Sequence, residues 1–171
     1  AADASWPQFN AMFTQIGRER GWPPMSREDF DASTALRGAN VVGSPQEVID
    51  NITDLPHLGP IHGSTVEYFE NEFRGHLAIQ RQGGGHRTLV ADDGSLLHTD
   101  TWYTGPGMLY SSVRGMGDAI MYICHTPVDD GSVHVWHGLL VKSPNAVATA
   151  EDIANARAYQ EASRLAFAQD F

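Results

Sequence analysis

Residues 119–143 read AIMYICHTPVDDGSVHVWHGLLVKS. Two runs rich in Ile, Val, Tyr and Leu flank Asp129-Asp130-Gly131, so the stretch predicts a long β-hairpin that turns at that acidic, glycine-ended tripeptide. After it, Ser143-Pro144-Asn145 breaks the pattern. A helix over about 150–169 follows, opened by Thr149 and Asp152 in a capping-box arrangement. Upstream, SLLHTDTWYTGPGMLYSSV (95–113) predicts two strands broken at Gly105-Pro106-Gly107. HLAIQRQ (76–82) and HRTLVADDG (86–94) read as shorter strands separated by a Gly83-Gly84-Gly85 loop. No helix start follows those glycines, so they do not form a phosphate cradle. Residues 64–145 thus predict antiparallel strands, and the whole order is α+β: a helical start, a run of strands, a closing helix.

Residues 1–50 carry the helical start. Phe9, Met12, Phe13 and Ile16 fall at helical spacing, Pro23 and Pro24 break that helix, and Ser26 is placed to cap a second over Glu28 and Asp29. NVVGSPQEVIDNI (40–52) predicts a short strand, a Gly-Ser turn, and a helix with Ser44 as N-cap and Pro45 at its first position. No titratable cluster falls in this segment, which divides the chain into 1–50, structural, and 51–171, chemical.

Bulk composition excludes several functions. The chain has 171 residues and a net charge of −10, and only 11 Lys and Arg are spread along it, too few for a nucleic-acid partner. No run of about 18 apolar residues exists to span a membrane. The N-terminus lacks the basic and apolar regions of a signal peptide, and lacks an initiator Met as a fragment or processed form would. One cysteine, Cys124, excludes intrachain disulfides and a cysteine-held zinc or iron–sulfur site, and a cytoplasmic setting is the default. Its IMYIC context reads as an inert core thiol.

The chemistry concentrates in NITDLPHLGPIHG (51–63). Asp54 and His57 are three apart, on one face of a helix. His57 and His62 are five apart, about 140° off on a continuous helix, too divergent for one metal. Gly59-Pro60 ends the helix, and the turn lets His62 swing back towards His57. Redox-active non-haem iron favours two histidines and a carboxylate on one face of an octahedron, leaving positions open for O2. The closing helix offers an inward stripe, Ile153, Ala156, Tyr159, Ala162, Ala166 and Phe167, and Asp170 continues it. A carboxylate buried there is expensive unless neutralised or bound to a cation; fraying at the chain end is the alternative.

These residues resemble a known family. NITDLPHLGPIHG is similar to the mononuclear-iron motif of Rieske non-haem iron oxygenases, N-x2-D-x2-H-x4-H. YFENEFRGHLAIQ (68–80), DTWYTGPGMLY (100–110), YICHTPVDDGSVHVWHGLLVKS (122–143) and FAQDF (167–171) resemble, in order, the catalytic domain of 3-ketosteroid 9α-hydroxylase oxygenase components and cholesterol 7-desaturases. The resemblance covers about residues 48–171. It implies a helix-grip (START-like) fold, an antiparallel sheet wrapped around the long C-terminal helix with the substrate cavity between them. It implies Fe(II) on His57, His62 and Asp170, with Asp54 linking the site to a neighbouring subunit's cluster and Asn51 close to the metal. It implies O2 and a hydrophobic ring or sterol-like substrate, an electron donor, and a ring such as a homotrimer. The [2Fe–2S] cluster itself must sit on a missing domain or partner, so the chain alone is expected to be inactive. Trp102, Tyr103, Met108, Tyr110 and Trp136 are candidates for the cavity wall.

Residues 13–52 resemble something else, the C-terminal part of luciferase-like flavin-dependent monooxygenases, without a complete flavin site. The two resemblances meet near Val48–Asn51, as at a junction of two gene fragments. Other histidines are weaker candidates. His134 and His137, an odd step apart, point to opposite faces of a strand. His125 is a candidate polar cavity residue, and His76, His86 and His98 read as structural. Two competing functions remain open: a non-catalytic helix-grip module for hydrophobic ligands, and a fragment of a flavin-dependent monooxygenase.

Overall fold

In the computed structural model the residues described are 37–42, 45–87, 89, 95–105, 107–115 and 117–170, with isolated positions before 37. The helices expected around Phe9–Ile16 and Glu28 lie outside them. The chain forms two compact units, Ala1–Ala35 and Leu36–Phe171. The second therefore takes in residues 36–50, which the sequence placed with the helical start.

Seven antiparallel strands build the second unit: β1 (Arg37–Val42), β2 (Thr65–Arg74), β3 (Leu77–Gly85), β4 (Leu97–Tyr103), β5 (Met108–Arg114), β6 (Ala119–Asp129) and β7 (Ser132–Val141). Their order in the sheet is β1-β7-β6-β5-β4-β3-β2. Consecutive strands are neighbours from β2 to β7, joined by two to four residues except between β3 and β4; β1 joins at the far edge, pairing with β7. Two helices accompany the sheet, α1 (Pro45–Thr53) and α2 (Ala150–Phe167). The β6–β7 hairpin is the one the sequence predicts, but its turn is Asp130-Gly131, because Asp129 ends β6; Asp129 accepts from the Gly131 N–H and the Ser132 hydroxyl.

Three expectations need correction. Gly83, Gly84 and Gly85 end strand β3 rather than forming a loop. A Cβ on Gly83 would meet the Tyr68 ring at 2.3 Å, and one on Gly84 would meet the Thr65 carbonyl at 1.9 Å. The neighbouring strand bulges here, between Val66 and Tyr68, and approaches too closely for side chains. Beyond it, His86 has no strand assignment and Arg87 lies in a turn, so the strand read from 86 onward does not start there. Finally, α1 stops at Thr53, before Asp54; Leu55–His57 continues as a single 3-10 turn, in keeping with Pro56, which has no N–H for a helical bond.

The long helix matches its expected start. Thr149 accepts from the Asp152 N–H at 3.2 Å while Asp152 accepts from the Thr149 N–H at 2.8 Å, a reciprocal box that satisfies two otherwise orphaned donors. Its buried face is Tyr159, Gln160, Ser163 and Ala166, whereas Ile153 is 46% exposed. The inward stripe thus begins later than its apolar residues suggest, and it is half polar. Gln160 and Ser163 both bind His137 of β7, at 2.8 Å to Nδ1 and 3.2 Å to Nε2. These bonds join α2 to the sheet. At the other end Val48 of α1 packs on Leu109, Ile123, Val133 and Val135. Each such buried aliphatic stabilises the fold by roughly 1.5–3 kcal/mol.

Candidate metal centre

The 3-10 turn and the loop after it place both imidazoles. Ile61 N–H donates to the His57 carbonyl and Gly63 N–H to the Gly59 carbonyl, both at 2.9 Å, so the chain coils back after Pro60 and carries His62 towards His57. The two rings stand edge to face, 5.1 Å between centroids and 76° between planes. The closing helix ends at its C-cap Ala168. Two further backbone bonds, Gln169 N–H to Ala166 and Asp170 N–H to Phe167, continue the coil and turn Asp170 inward, its side chain 5% exposed.

Asp170 Oδ1 lies 2.9 Å from His62 Nε2 and 3.8 Å from His57 Nε2. One ligating atom from each of the three lies within 4.8 Å of the others. The opposite ring nitrogens are already engaged. His57 Nδ1 faces the Asp54 backbone carbonyl and, at 3.3 Å, Asp54 Oδ2; His62 Nδ1 faces Gln169 Oε1 at 3.2 Å. All of these oxygens can only accept, so in both neutral rings Nδ1 holds the proton and Nε2 presents a bare lone pair. Three electron-pair donors therefore converge, and Asp170 Oδ1 is buried without a hydrogen bond of normal geometry. Such a cluster requires a cation or a proton at its centre. The proton's preference is visible: hydrogen bonding to Asp170 raises the His62 pKa above its ordinary value, overcoming burial. The donor set, two imidazoles and a carboxylate, fits a non-haem ferrous ion with open positions.

One cavity, about 170 Å³, opens beside this cluster and is lined by it. Asn51 and Ile52 of α1, Phe69 of β2, and Ala166 and Phe167 of α2 form part of its wall. Asn51 lines the same cavity as the cluster, and Asp54, 49% exposed at its side chain, does not line it. The aromatic wall read from the sequence is not there. Trp102, Tyr103, Met108, Tyr110 and Trp136 do not line the cavity; Leu97, Thr99, Thr101, Leu109 and Ser111 do. The period of two explains the error: Trp102 pairs with Tyr110 across β4 and β5, on the face opposite Thr101 and Ser111. Tyr103 has the inward phase but packs against the Val48 cluster instead.

Sequence reasoning missed His86. It lines the cavity and stacks on His62, 5.9 Å between centroids, and burial pushes its pKa down to about 4. Its place in the loop after β3 gives no periodic signal. His125 is buried with neither ring nitrogen partnered, stacks on Tyr103, and does not line the cavity. Cys124 is half-buried rather than a core residue, and burial pushes its thiol up to about 11. No described helix is long and apolar enough to cross a membrane.

Comparison with known proteins gives a consistent family. A model described as 3-Ketosteroid 9alpha-hydroxylase C-terminal domain matches residues 6–171. The oxygenase component of 3-ketosteroid-9-alpha-monooxygenase from Mycolicibacterium smegmatis is 31% identical over 150 residues, 81% of this chain and 38% of the relative. Its counterpart from Mycobacterium tuberculosis is 28% identical over 135 residues, 73% of this chain and 35% of the relative. The chain therefore spans well under half of these relatives. Among solved structures, the quaternary ammonium Rieske monooxygenase CntA in complex with an inhibitor superposes with a TM-score of 0.59 at 16% identity, covering 80% of this chain and 36% of CntA. A START superfamily protein from Mycobacterium smegmatis superposes with a TM-score of 0.55 at 12% identity, covering 78% of this chain and 93% of that one. At such identities the likeness is one of fold, and it is the helix-grip fold read from the sequence.

Proposed function

Since the chain belongs to the 3-ketosteroid 9α-hydroxylase C-terminal domain family, we propose that it is the oxygenase's mononuclear-iron domain, with His57, His62 and Asp170 as ligands. The substrate is a hydrophobic ring compound of the sterol-like class, and the reaction is an O2-dependent hydroxylation. The observation that carries this is the convergence of His57 Nε2, His62 Nε2 and Asp170 Oδ1, with both Nδ1 atoms tied to oxygen acceptors. A binding module without metal has no need of three unprotonated donors at one point.

Ferrous iron, when bound, supplies the O2-activating redox chemistry. The chain supplies the rest. Asp170 brings the negative charge that balances the cation. Asp54 and Gln169 hold the Nδ1 protons, fix the tautomers and orient the rings. Leu109, Ile123 and Phe167 line the cavity, exclude water and bind an apolar skeleton. Electrons must come from a [2Fe–2S] cluster on another domain or partner, because Cys124 is the chain's one cysteine. Asp54, exposed and in contact with His57 Nδ1, is suited to link the site to such a cluster across a subunit boundary, as in a homotrimeric ring. The flavin reading has less support: it rested on residues 13–52, and the family model already matches from residue 6.

Anaerobic titration with Fe(II) tests the proposal. The chain is expected to take up one equivalent, and His57→Ala, His62→Ala and Asp170→Ala each to reduce the affinity at least tenfold while keeping the β-rich circular dichroism spectrum. Uptake of no iron, or uptake unchanged in all three variants, contradicts it.

A further inference from the structure

The loop that carries His62 lies between the 3-10 turn and β2, in turns rather than in helix or strand, and its Gly59, Pro60 and Ile61 are exposed. It is gripped from outside at three consecutive residues. Arg87 Nη2 donates to the Ile61 carbonyl at 2.8 Å, just before His62. Gly63, just after it, has a φ of +63°, and a Cβ there would meet the Arg87 Cβ at 3.0 Å, so the Arg87 stem lies against the loop backbone. The His62 ring itself stacks on His86, 5.9 Å between centroids and 25° between planes, inside the range of about 4.5–7 Å at which aromatic rings pair. His86 and Arg87 follow directly on Gly85, where β3 ends paired with Thr65 of β2 and, one residue back, with Leu97 of β4. Both are therefore anchored on the sheet. The bond from His62 Nδ1 to Gln169 fixes one point of the ring and leaves it free to swing about that point; a second ring against its face removes the swing.

We propose that His86 and Arg87 are positioning residues, a clamp that holds the backbone of residues 61–63 and the face of the His62 ring so that Nε2 stays aimed at the point shared with His57 and Asp170. The inference rests on the proposed function for the ferrous ion at that point. His86 is not one of the three converging donors, so it acts through His62. The clamp works by geometry, and the charge of Arg87 works the other way. The Asp170 hydrogen bond raises the His62 pKa and the Arg87 guanidinium opposes it; a positive charge that repels a proton at this imidazole repels a metal cation there too. Loss of Arg87 thus loosens the loop but relieves a repulsion, which gives the clamp a sign that electrostatics alone does not share.

Anaerobic Fe(II) titration of the full chain, joined to amide hydrogen exchange on the metal-free chain, tests this. His86→Ala is expected to weaken Fe(II) affinity roughly tenfold, and His86→Phe, which keeps a ring to stack, to stay within about threefold of the wild type. Arg87→Met removes both the donor and the charge and is expected to weaken affinity several-fold, where relief of repulsion alone would tighten it. Without metal, His86→Ala and Arg87→Met are expected to speed exchange of the Ile61 and Gly63 amides, which donate to the His57 and Gly59 carbonyls, and to leave the Lys142 amide, bonded to the Asp118 carbonyl, unmoved. Affinity unmoved in His86→Ala, tighter in Arg87→Met, or as weak in His86→Phe as in His86→Ala overturns the clamp. So does exchange unmoved at Ile61 and Gly63, or faster at Lys142 as well, which is a global loosening. If the wild type takes up no iron, exchange decides alone: faster exchange confined to the loop leaves the clamp standing and removes the oxygenase reading, and unmoved exchange removes both.

Discussion

On the proposed function a proton and a metal ion would compete for one lone pair of His62. Asp170 raises the affinity of that nitrogen for a proton, and the same carboxylate would be the third metal donor. Iron binding must release the proton, so Fe(II) affinity is expected to weaken as pH falls through the raised pKa of His62. Titrations across pH measure this, and Asp170→Asn is expected to flatten the dependence because its amide no longer favours the imidazolium; an unchanged slope would count against the pairing. At this scale much was legible. His57, His62 and Asp54 lie within nine positions, and Pro60 marks the turn that folds them together, but that spacing is weak evidence alone and the family motif was needed beside it. Asp170 is 108 positions from His62 and was reached by extending a helical stripe and by the resemblance of FAQDF to the family. Gln80 and Thr99 were not legible. Both line the cavity with an unpartnered polar atom, a property of packing that the sequence does not display. The aromatic residues drew attention instead, and a phase error of one residue along β4 and β5 put Trp102 and Tyr110 on the wrong face.

Elements hold the cluster in place through a few contacts that substitutions reach. Thr149→Ala removes the reciprocal cap of α2 and is expected to cost about 1 kcal/mol in denaturant unfolding. A Cβ on Gly138 would lie 2.1 Å from the Tyr122 ring, whose residue is 1% exposed, so Gly138→Ala is expected to cost about 1–3 kcal/mol or more by overpacking. His137, 2% exposed between β7 and α2, gives a pH effect with a definite sign. Burial lowers its pKa from 6.5 to about 4, so between those values the unfolded chain binds a proton that the folded chain refuses. Stability is therefore full above about 6.5 and declines as pH falls towards 4, by up to about 3 kcal/mol from this residue. Urea melts across that window check it, and His137→Gln is expected to lose this part of the slope. Hairpins and the capped helix were plain in the sequence, since turn residues and caps are local. The Gly83–Gly85 strand was not, because the reason for those glycines is the approach of β2, a contact between strands.

For the whole molecule, the proposed function takes the electron inlet from the cysteine count. One thiol cannot hold a [2Fe–2S] centre, so the chain mixed with a reductase, O2 and substrate is expected to give no hydroxylated product. Product detected by mass spectrometry in that mixture, without a cluster-bearing protein, would contradict the assignment of the electron inlet to another domain. Fold order was legible at this scale, strands then a closing helix, whereas the boundary was not: β1 pairs with β7 through contacts nearly a hundred positions apart, so Leu36–Asp50 belongs with the sheet. The central claim is that three side chains from the two ends of this unit meet on one ferrous ion. X-ray absorption at the iron edge of the Fe(II)-loaded chain measures it most directly. The account expects two imidazole nitrogens in the coordination sphere, falling to one in His57→Ala and in His62→Ala. A sphere of oxygen ligands alone, or a spectrum unchanged by either substitution, would contradict it.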